Sequence, residues 1–220
     1  MAELKDAGAQ FERLVKIMDT LRSPGGCPWD GEQTHQSLLR YLIEEAYEVV
    51  EAIEAPAGVD RALLKEELGD VLLQVVFHSR VAEETSAADG GFSIVEVLTA
   101  LNDKLERRHP YVFGDEEAAT GEDVLARWDD LKKKEKPERT GALDGIPPHL
   151  PALALAEKTI SKASKAGLLD AHEVAGGQTF ADEAELGEHF FSLAAAAKAQ
   201  GFDPERALRT YTREIIKKYS

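Results

Sequence analysis

Apolar residues recur at intervals of three and four along most of this chain, and that period predicts helices. Phe11, Leu14, Met18 and Leu21 begin the pattern, which is typical of an amphipathic helix with one face turned to a core. The same period returns in later segments that begin near Leu38, Ala62, Ile94, Val124, Leu153, Ala181 and Pro204. We therefore predict an all-α fold, a bundle of helices.

Capping residues, glycine and proline divide the pattern into separate helices. Ser93, followed three residues later by Glu96, predicts a capping box at the start of one helix, and Pro110 is expected to end that helix. Asp203 followed by Pro204 predicts the start of the last helix. Loops are expected at residues 24–30, 111–121 and 170–178.

Two of the predicted helices carry acidic residues at a spacing that gathers them on one stripe. Glu44, Glu45 and Glu48 lie on the first of these helices, and Glu67 and Asp70 lie on the second. Residues three or four apart are neighbours on a helix surface, where like charges repel. A positively charged group or ion is therefore expected nearby, because it would offset the repulsion between these carboxylates.

If these two helices pack antiparallel, the two acid pairs converge on one point. The metal ligands that we predict there are Glu45, Glu48, Glu67 and Asp70. Ligation through oxygen alone suits a hard cation such as Mg²⁺, with Mn²⁺ as a substitute. Gly69, in the middle of the second helix, costs about 1 kcal/mol against alanine, which suggests close packing or the approach of a ligand. The alternative is a solvated acidic face, which is common in a chain with 41 acidic residues.

Composition narrows the classes of protein that fit this pattern. The 220 residues carry a formal net charge of −15, which argues against binding to nucleic acid polymers or anionic membranes, because their phosphates would be repelled. A single cysteine, Cys27, rules out an intrachain disulfide. The first residues lack the apolar core of a signal peptide, and no apolar run is long enough to span a bilayer. A cytoplasmic enzyme or binding protein is expected.

Several motifs surround the acids in an order that one known family shares. Upstream lie Cys27-Pro28-Trp29-Asp30 and Gln33-Thr34, and downstream lie Lys104-Leu105-Glu106-Arg107-Arg108-His109-Pro110 and Leu125-Ala126-Arg127-Trp128. Together with Glu44-Glu45-x-x-Glu48 and Glu67-x-x-Asp70, these motifs resemble the signature of the MazG family of all-α nucleoside triphosphate pyrophosphohydrolases. The resemblance covers nearly all of residues 7–136.

The resemblance implies a reaction and catalytic roles. A ribo- or deoxyribonucleoside triphosphate would be hydrolysed with Mg²⁺ to the monophosphate and pyrophosphate, as housekeeping of the nucleotide pool. Glu44, offset from the stripe of ligands, is the candidate for positioning or deprotonating the attacking water. Lys104 and Arg108, with Asn102 nearby, would contact the triphosphate. From the residues alone, such a basic pair would only complement the dipole at a helix end.

The resemblance also implies a pocket for the rest of the nucleotide. Trp29 or Asp30 would hold the base or sugar, and Trp128 with Lys132 would form another wall of the pocket. Trp128 and Lys132 are four residues apart and so share one side of a helix. For each tryptophan, a packing role in the core or a loop is the alternative.

The C-terminal half resembles a shortened second copy of the first half. Glu185-Leu186-Gly187-Glu188 echoes Glu67-Leu68-Gly69-Asp70. The second copy has no facing acid pair between residues 153 and 178, and Glu214 stands where Lys104 stands in the first copy. We expect a catalytic domain at residues 1–136, a linker at 137–151 and a degenerate MazG-like segment at 152–220.

The predicted helix that contains Val71, Leu72, Val75, Val76 and Phe77 is apolar nearly all round, as expected of a helix between neighbours. We therefore predict a homodimer in which helices from two chains complete the bundle, and the resemblance implies the same. Within enzymes, the alternative to a general pyrophosphohydrolase is a diphosphatase that is selective for certain nucleotides. The alternative outside enzymes is a nucleotide- or metal-binding regulator with little turnover, whose C-terminal half is an interaction module.

Overall fold

The computed structural model describes residues 2–114, 120, 135 and 141–219, with only the backbone described for residues 2–5. Every regular element in this part of the chain is helical, which confirms the all-α prediction. None of the described helices is both long and apolar enough to cross a bilayer. Trp128 and Lys132, two of the predicted substrate contacts, lie outside the described residues.

The chain divides into two compact units, residues 1–117 and 118–220. The first unit consists of long helices joined by short connections. Its helices are α1 (Ala2–Arg22), α2 (Pro28–Glu32), α3 (His35–Ile53), α4 (Arg61–Ala82), α5 (Ile94–Arg108) and α6 (Pro110–Phe113), with a 3₁₀ turn at Ala87–Asp89. The long helices of this unit coincide with segments that the hydrophobic period predicts.

Side-chain caps determine where the long helices begin. The Glu96 carboxylate accepts a hydrogen bond from the amide of Ser93 at 2.8 Å, and the Ser93 hydroxyl accepts one from the amide of Glu96, so the predicted capping box is confirmed. Thr34 forms a second capping box with Ser37 at the start of α3. The Asp60 carboxylate caps α4. Each cap satisfies amides that a helix end leaves without partners and stabilises the helix by about 1 kcal/mol.

Helices α3 and α4 form an antiparallel hairpin that carries all the predicted metal ligands. At its closed end, the amide of Asp60 donates to the carbonyl of Ala52 at 2.8 Å. At its open end, His35 in the first turn of α3 meets His78 in α4, with their Nδ1 atoms 2.8 Å apart. The two acid stripes therefore run along facing helices.

The core of the first unit forms where α1, α3, α4 and α5 meet. Its buried side chains are Met18, Leu38, Val76, Phe77 and Ile94. Within one chain, α4 is not covered on every side, because Leu72 and Val75 each remain 40% exposed. An apolar helix with one uncovered side has surface available for a further partner.

Short helices occur in segments that were expected to be loops. Trp29 and Asp30 lie in α2, because Pro28 supplies a helical φ at the first position of that helix. Helix α5 ends at Arg108, as expected, but Pro110 then begins α6. Helices of four or five residues are too short to produce a recognisable hydrophobic period, so the sequence pattern misses them.

In the second unit, the structure describes residues 120, 135 and 141–219. Its helices are α7 (Ala152–Lys165), α8 (Ala171–Ala175), α9 (Glu183–Ala199) and α10 (Pro204–Tyr219). Helix α8 lies in the expected loop at residues 170–178 and is capped by Asp170. Helices α7 and α10 pack on each other, and every residue of α9 is at least partly exposed.

Residues 141–151 accept hydrogen bonds from side chains of α7 and α10. The Lys162 ammonium donates to the carbonyl of Asp144 at 2.6 Å, and the Arg213 guanidinium donates to the carbonyl of Pro148 at 2.8 Å. Leu143 is buried. The functional division of the chain into residues 1–136, 137–151 and 152–220 stays a prediction.

Candidate metal and nucleotide site

The hairpin of α3 and α4 brings together carboxylates that are far apart in the sequence. Glu45, Glu67 and Asp70 each offer one oxygen, and these oxygens all lie within 4.8 Å of one another. Glu67 is buried, with 7% of its surface exposed, and the other two residues are half-buried. Three of the four predicted ligands thus form one compact group.

Glu48, the fourth predicted ligand, lies at the edge of this group. Its residue is exposed, and its carboxyl group contributes to raising the pKa of both Glu45 and Glu67. Glu48 is therefore near enough to the other acids to act on their ionisation.

The electrostatics of the cluster favour a cation. Burial, with Asp70 and Glu48 adding to it, raises the pKa of Glu45. Burial and the neighbouring Glu48 likewise raise the pKa of Glu67. The groups that act on these two residues are carboxylates, and each of them disfavours the ionised form. A divalent cation among them would favour the ionised forms, and an all-oxygen donor set suits Mg²⁺, Mn²⁺ or Ca²⁺.

Glu44 lies beside the cluster rather than in it. It is exposed, and about 100° of helical rotation separates its side chain from that of Glu45. From this position its carboxylate is open to water and does not compete for the place of a metal ligand. Gly69 is also exposed, and a Cβ added there would meet nothing within 4 Å. Close packing against the part of the chain that the structure describes, one of the two reasons expected for this glycine, is therefore wrong.

Trp29 lies near the acids along α3. Its ring packs edge-on against the ring of Tyr41, with centroids 5.9 Å apart and planes at 72°. Tyr41 precedes Glu45 by one helical turn, a rise of about 6 Å. Because Trp29 is 49% exposed, much of its indole remains available to a ligand. Asp30, the next residue, is half-buried.

The predicted basic residues lie on α5. Lys104 and Arg108 are half-buried, and Asn102 is exposed. Neither of these two cations is among the groups that act on the pKa of Glu45 or Glu67.

Arg22 is a residue of this region that sequence reasoning missed. Its side chain is only 2% exposed, and its guanidinium donates to the backbone carbonyls of Asp30 and Gln33. The sequence did offer one signal for its burial. Arg22 lies four residues after Met18, and this spacing places it on the apolar face of α1. A charged residue at a core position needs buried partners.

A histidine pair was also missed. His35 and His78 stack with their rings 5.2 Å apart and nearly parallel, and burial together with the neighbouring His35 lowers the pKa of His78. The two residues lie on different helices, so the sequence offers no local signal for their contact.

Similar proteins identify the family of this chain. Residues 33–113 match the family model of the MazG nucleotide pyrophosphohydrolase domain. The chain is 40% identical over 233 residues to the nucleoside triphosphate pyrophosphohydrolase/pyrophosphatase MazG of Thermotoga maritima, and the alignment covers 98% of this chain and 86% of that protein. The chain belongs to the MazG family. The region that matches the MazG domain contains both acid pairs and all of α5.

Two further similarities extend over different parts of this MazG-family chain. A Streptomyces cacaoi protein named "Uncharacterized 26.1 kDa protein in blaB 3'region" is 46% identical over 202 residues, which are 92% of this chain and 78% of that protein. A crystal structure of a mazG-related protein from Thermotoga maritima matches with a TM-score of 0.46 and 31% identity, covering 56% of this chain and 98% of that one.

Proposed function

We propose that this MazG-family chain is a nucleoside triphosphate pyrophosphohydrolase that requires Mg²⁺, with Mn²⁺ as a substitute. The reaction adds water across a phosphoanhydride bond of a ribo- or deoxyribonucleoside triphosphate and gives the monophosphate and pyrophosphate. The names of relatives such as the Thermotoga maritima protein support this activity. Housekeeping of the nucleotide pool is the role that fits it.

The observation that carries the proposal is the group of carboxylate oxygens within 4.8 Å of one another. Each neighbour that acts on the pKa values of Glu45 and Glu67 opposes ionisation, so the cluster is costly without a cation. A divalent ion held by Glu45, Glu48, Glu67 and Asp70 would remove that cost. Bound there, it would supply positive charge that offsets the triphosphate and the charge that develops in the transition state.

The remaining residues would bind the nucleotide and move the proton. The exposed carboxylate of Glu44 takes up the proton of the attacking water. Lys104, Arg108 and Lys132 hold phosphate oxygens and the departing pyrophosphate through charge-assisted hydrogen bonds. Trp29 and Trp128 stack on the base, Asp30 hydrogen-bonds to the sugar or the base, and Asn102 contacts the triphosphate beside Lys104 and Arg108.

The site is proposed to be complete only in a homodimer. Helix α3 carries an exposed apolar stripe whose members are each 41–61% exposed: Leu39, Ile43, Tyr47, Val50 and Ile53. Helices α4 and α5 add similarly exposed residues: Leu68, Leu72, Val75, Leu98, Leu101 and Leu105. Exposed apolar side chains in this number are typical of an interface between chains. A second copy that covers it would bring further helices to the acids.

Light scattering of a matched pair of variants tests the dimer. Val50→Lys combined with Ile53→Lys puts charges into the α3 stripe and is expected to give monomers at micromolar concentration. Val112→Lys is the control, because Val112 is 63% exposed on α6 and lies outside the stripe. A wild-type protein that is monomeric at this concentration would overturn the dimer.

The activity is tested by pyrophosphate release from a panel of nucleoside and deoxynucleoside triphosphates, with Mg²⁺ and with chelator. Wild type is compared with Glu45→Ala, and Glu188→Gln on α9 is the control because Glu188 is an exposed acid of the second unit. We expect metal-dependent release that Glu45→Ala abolishes and Glu188→Gln preserves. Saturable nucleotide binding without any release would instead favour the regulator.

A further inference from the structure

Arg22 joins three parts of the first unit. Its Nε and Nη2 atoms donate to the two carboxylate oxygens of Glu84, just after α4, at 2.9 and 2.8 Å. Its Nη1 donates to the carbonyl of Asp30 in α2 and to that of Gln33 at 3.1 Å. The guanidinium also lies over the ring of Phe77, 5.5 Å from its centroid. One buried cation therefore links the end of α1, the segment 29–33 and the end of α4.

The held segment reaches Trp29 through a second set of hydrogen bonds. The Gln33 side-chain amide donates to the carbonyl of Trp29 at 2.9 Å. The same amide accepts from the Ser37 hydroxyl in α3 at 2.7 Å. The backbone of Trp29 is thus tied to α3 at the place where its ring meets Tyr41.

We infer that Arg22 is a positioning residue for nucleotide binding: it holds segment 29–33 so that the exposed Trp29 indole stands beside Tyr41, one turn from the acid cluster. This inference rests on the proposed function, in which Trp29 contacts the nucleotide. Arg22 itself touches no reacting atom, so its effect is on the binding of the nucleotide and not on the metal.

Only arginine can make this set of contacts. The planar guanidinium presents two donors to Glu84 in parallel and further donors toward the two carbonyls. Lysine has one nitrogen on a flexible stem, so it keeps the charge but cannot engage the carboxylate and both carbonyls together. Arg22→Lys therefore releases segment 29–33 and keeps the charge at that position.

Arg80, whose side chain is 19% exposed, supplies a control for the loss of an arginine that pairs with Glu84. It pairs with Asp19 at 2.8 Å and with Glu84 at 3.2 Å, so it also links α1 with the end of α4. Its hydrogen bonds within the described residues go to Asp19 and Glu84 and not to segment 29–33. Arg80→Lys perturbs the same carboxylate without touching the nucleotide segment.

The experiment compares wild type, Arg22→Lys, Arg80→Lys and Gln33→Ala in steady-state kinetics with a nucleoside triphosphate and Mg²⁺. Loss of a stacked base contact weakens binding by about 10-fold, so we expect KM to rise about 10-fold in Arg22→Lys with kcat within about 3-fold. Gln33→Ala, which removes the link to Trp29 and no buried charge, is expected to raise KM in the same direction. Arg80→Lys is expected to leave KM unchanged. The affinity for Mn²⁺ alone is expected to be equal in all four proteins.

A second readout does not depend on turnover. In a Trp128→Phe background, the fluorescence of Trp29 is quenched with acrylamide well below the melting temperature. Greater quenching in Arg22→Lys and Gln33→Ala than in Arg80→Lys supports the inference. Equal quenching, or equal KM values in Arg22→Lys and Arg80→Lys, overturns it. Failure of the proposed function looks different, because wild type would then release no pyrophosphate from any nucleotide, and the nucleotide part of this inference would fall with it.

Discussion

The chain contains two acidic segments of similar sequence that lie in different structural surroundings. Glu67-Leu68-Gly69-Asp70 lies in the middle of α4, opposite the acids of α3, and its two acids belong to the carboxylate cluster. Glu185-Leu186-Gly187-Glu188 lies in the first turns of α9. There the Glu185 carboxylate accepts a hydrogen bond from the amide of Ala181 at 2.6 Å. The first segment faces another helix, whereas the second lies at the start of α9, where Glu185 bonds to the backbone just before that helix.

This difference in surroundings shows that acids at the same spacing in the sequence do not by themselves make a candidate metal site. An acid in the first turn of a helix is stabilised by the helix dipole and by amides without helical partners, so Glu185 has no need of a cation. An acid in the middle of a helix has neither advantage. Glu67 is buried among other carboxylates, and a cation would offset the repulsion that they exert on its ionised form.

The largest expected difference between the two segments is in catalysis. Asp70→Asn is expected to lower kcat by about 100-fold or more, because the metal supplies several kcal/mol of transition-state stabilisation. Glu188→Gln, at the matching position of the second segment, is expected to stay within about 2-fold of wild type in the same assay of pyrophosphate release. Comparable losses in both variants would mean that the second segment also takes part in the reaction.

The next effect concerns stabilisation by metal. A cation at 100 times its dissociation constant stabilises the folded state by about 2.7 kcal/mol. Hydrogen exchange with and without Mg²⁺ is expected to show slower exchange in α3 and α4 and no change in α9. Glu67→Gln is expected to abolish this protection. Protection of α9 by Mg²⁺ would contradict the assignment of the metal to the first segment.

The dependence of stability on pH should also differ between the two units. The pKa values of Glu45 and Glu67 are raised above the ordinary 4.5, so the folded metal-free cluster binds protons more tightly than the unfolded chain does. The resulting stabilisation is fully present below pH 4.5 and is lost as pH rises through the raised values. We expect α3 and α4 of the metal-free protein to exchange faster as pH is raised, after correction for intrinsic rates.

Two variants make that pH prediction specific. Glu67→Gln removes one of the titrating groups and should flatten the dependence, whereas Glu185→Gln should leave it unchanged. Saturating Mg²⁺ should reverse its sign, because protons then compete with the metal for the carboxylates. A metal-free hairpin that becomes more stable as pH rises would contradict the electrostatics of the cluster.

The smallest effects come from the matched glycines. Apart from its own helix backbone, an added Cβ at Gly69 or Gly187 would meet no atom of the described residues within 4 Å, so alanine at either position is expected to stabilise its helix by up to about 1 kcal/mol. Urea unfolding of each variant measures this. If Gly69→Ala gains stability but loses activity while Gly187→Ala changes stability alone, a ligand or a second chain approaches α4 at Gly69. If both variants changed stability alone, no function would explain the glycine at position 69.

Local patterns predict those parts of the fold that depend on neighbours in the sequence. The Ser93 and Glu96 capping box and the acid stripes of α3 and α4 could be predicted because helical geometry fixes contacts three and four residues apart. The contact of Arg22 with Glu84 could not be predicted, since it depends on how α1 packs beside α4. The same holds for His35 and His78, which meet only once the hairpin has closed.

The four acids of the proposed metal site are close together in the sequence, and this affects how fast they can come together during folding. All four carboxylates lie between residues 45 and 70, on two helices joined by the short connection that Asp60 closes against Ala52. Bringing them together requires the closure of one short loop, which takes well under a microsecond for about ten residues. The hairpin of α3 and α4 is therefore a unit of low contact order. We expect its local contacts to form before the more distant contacts of α1 and α5, so a cation held by the proposed ligands would stabilise an early stage of folding.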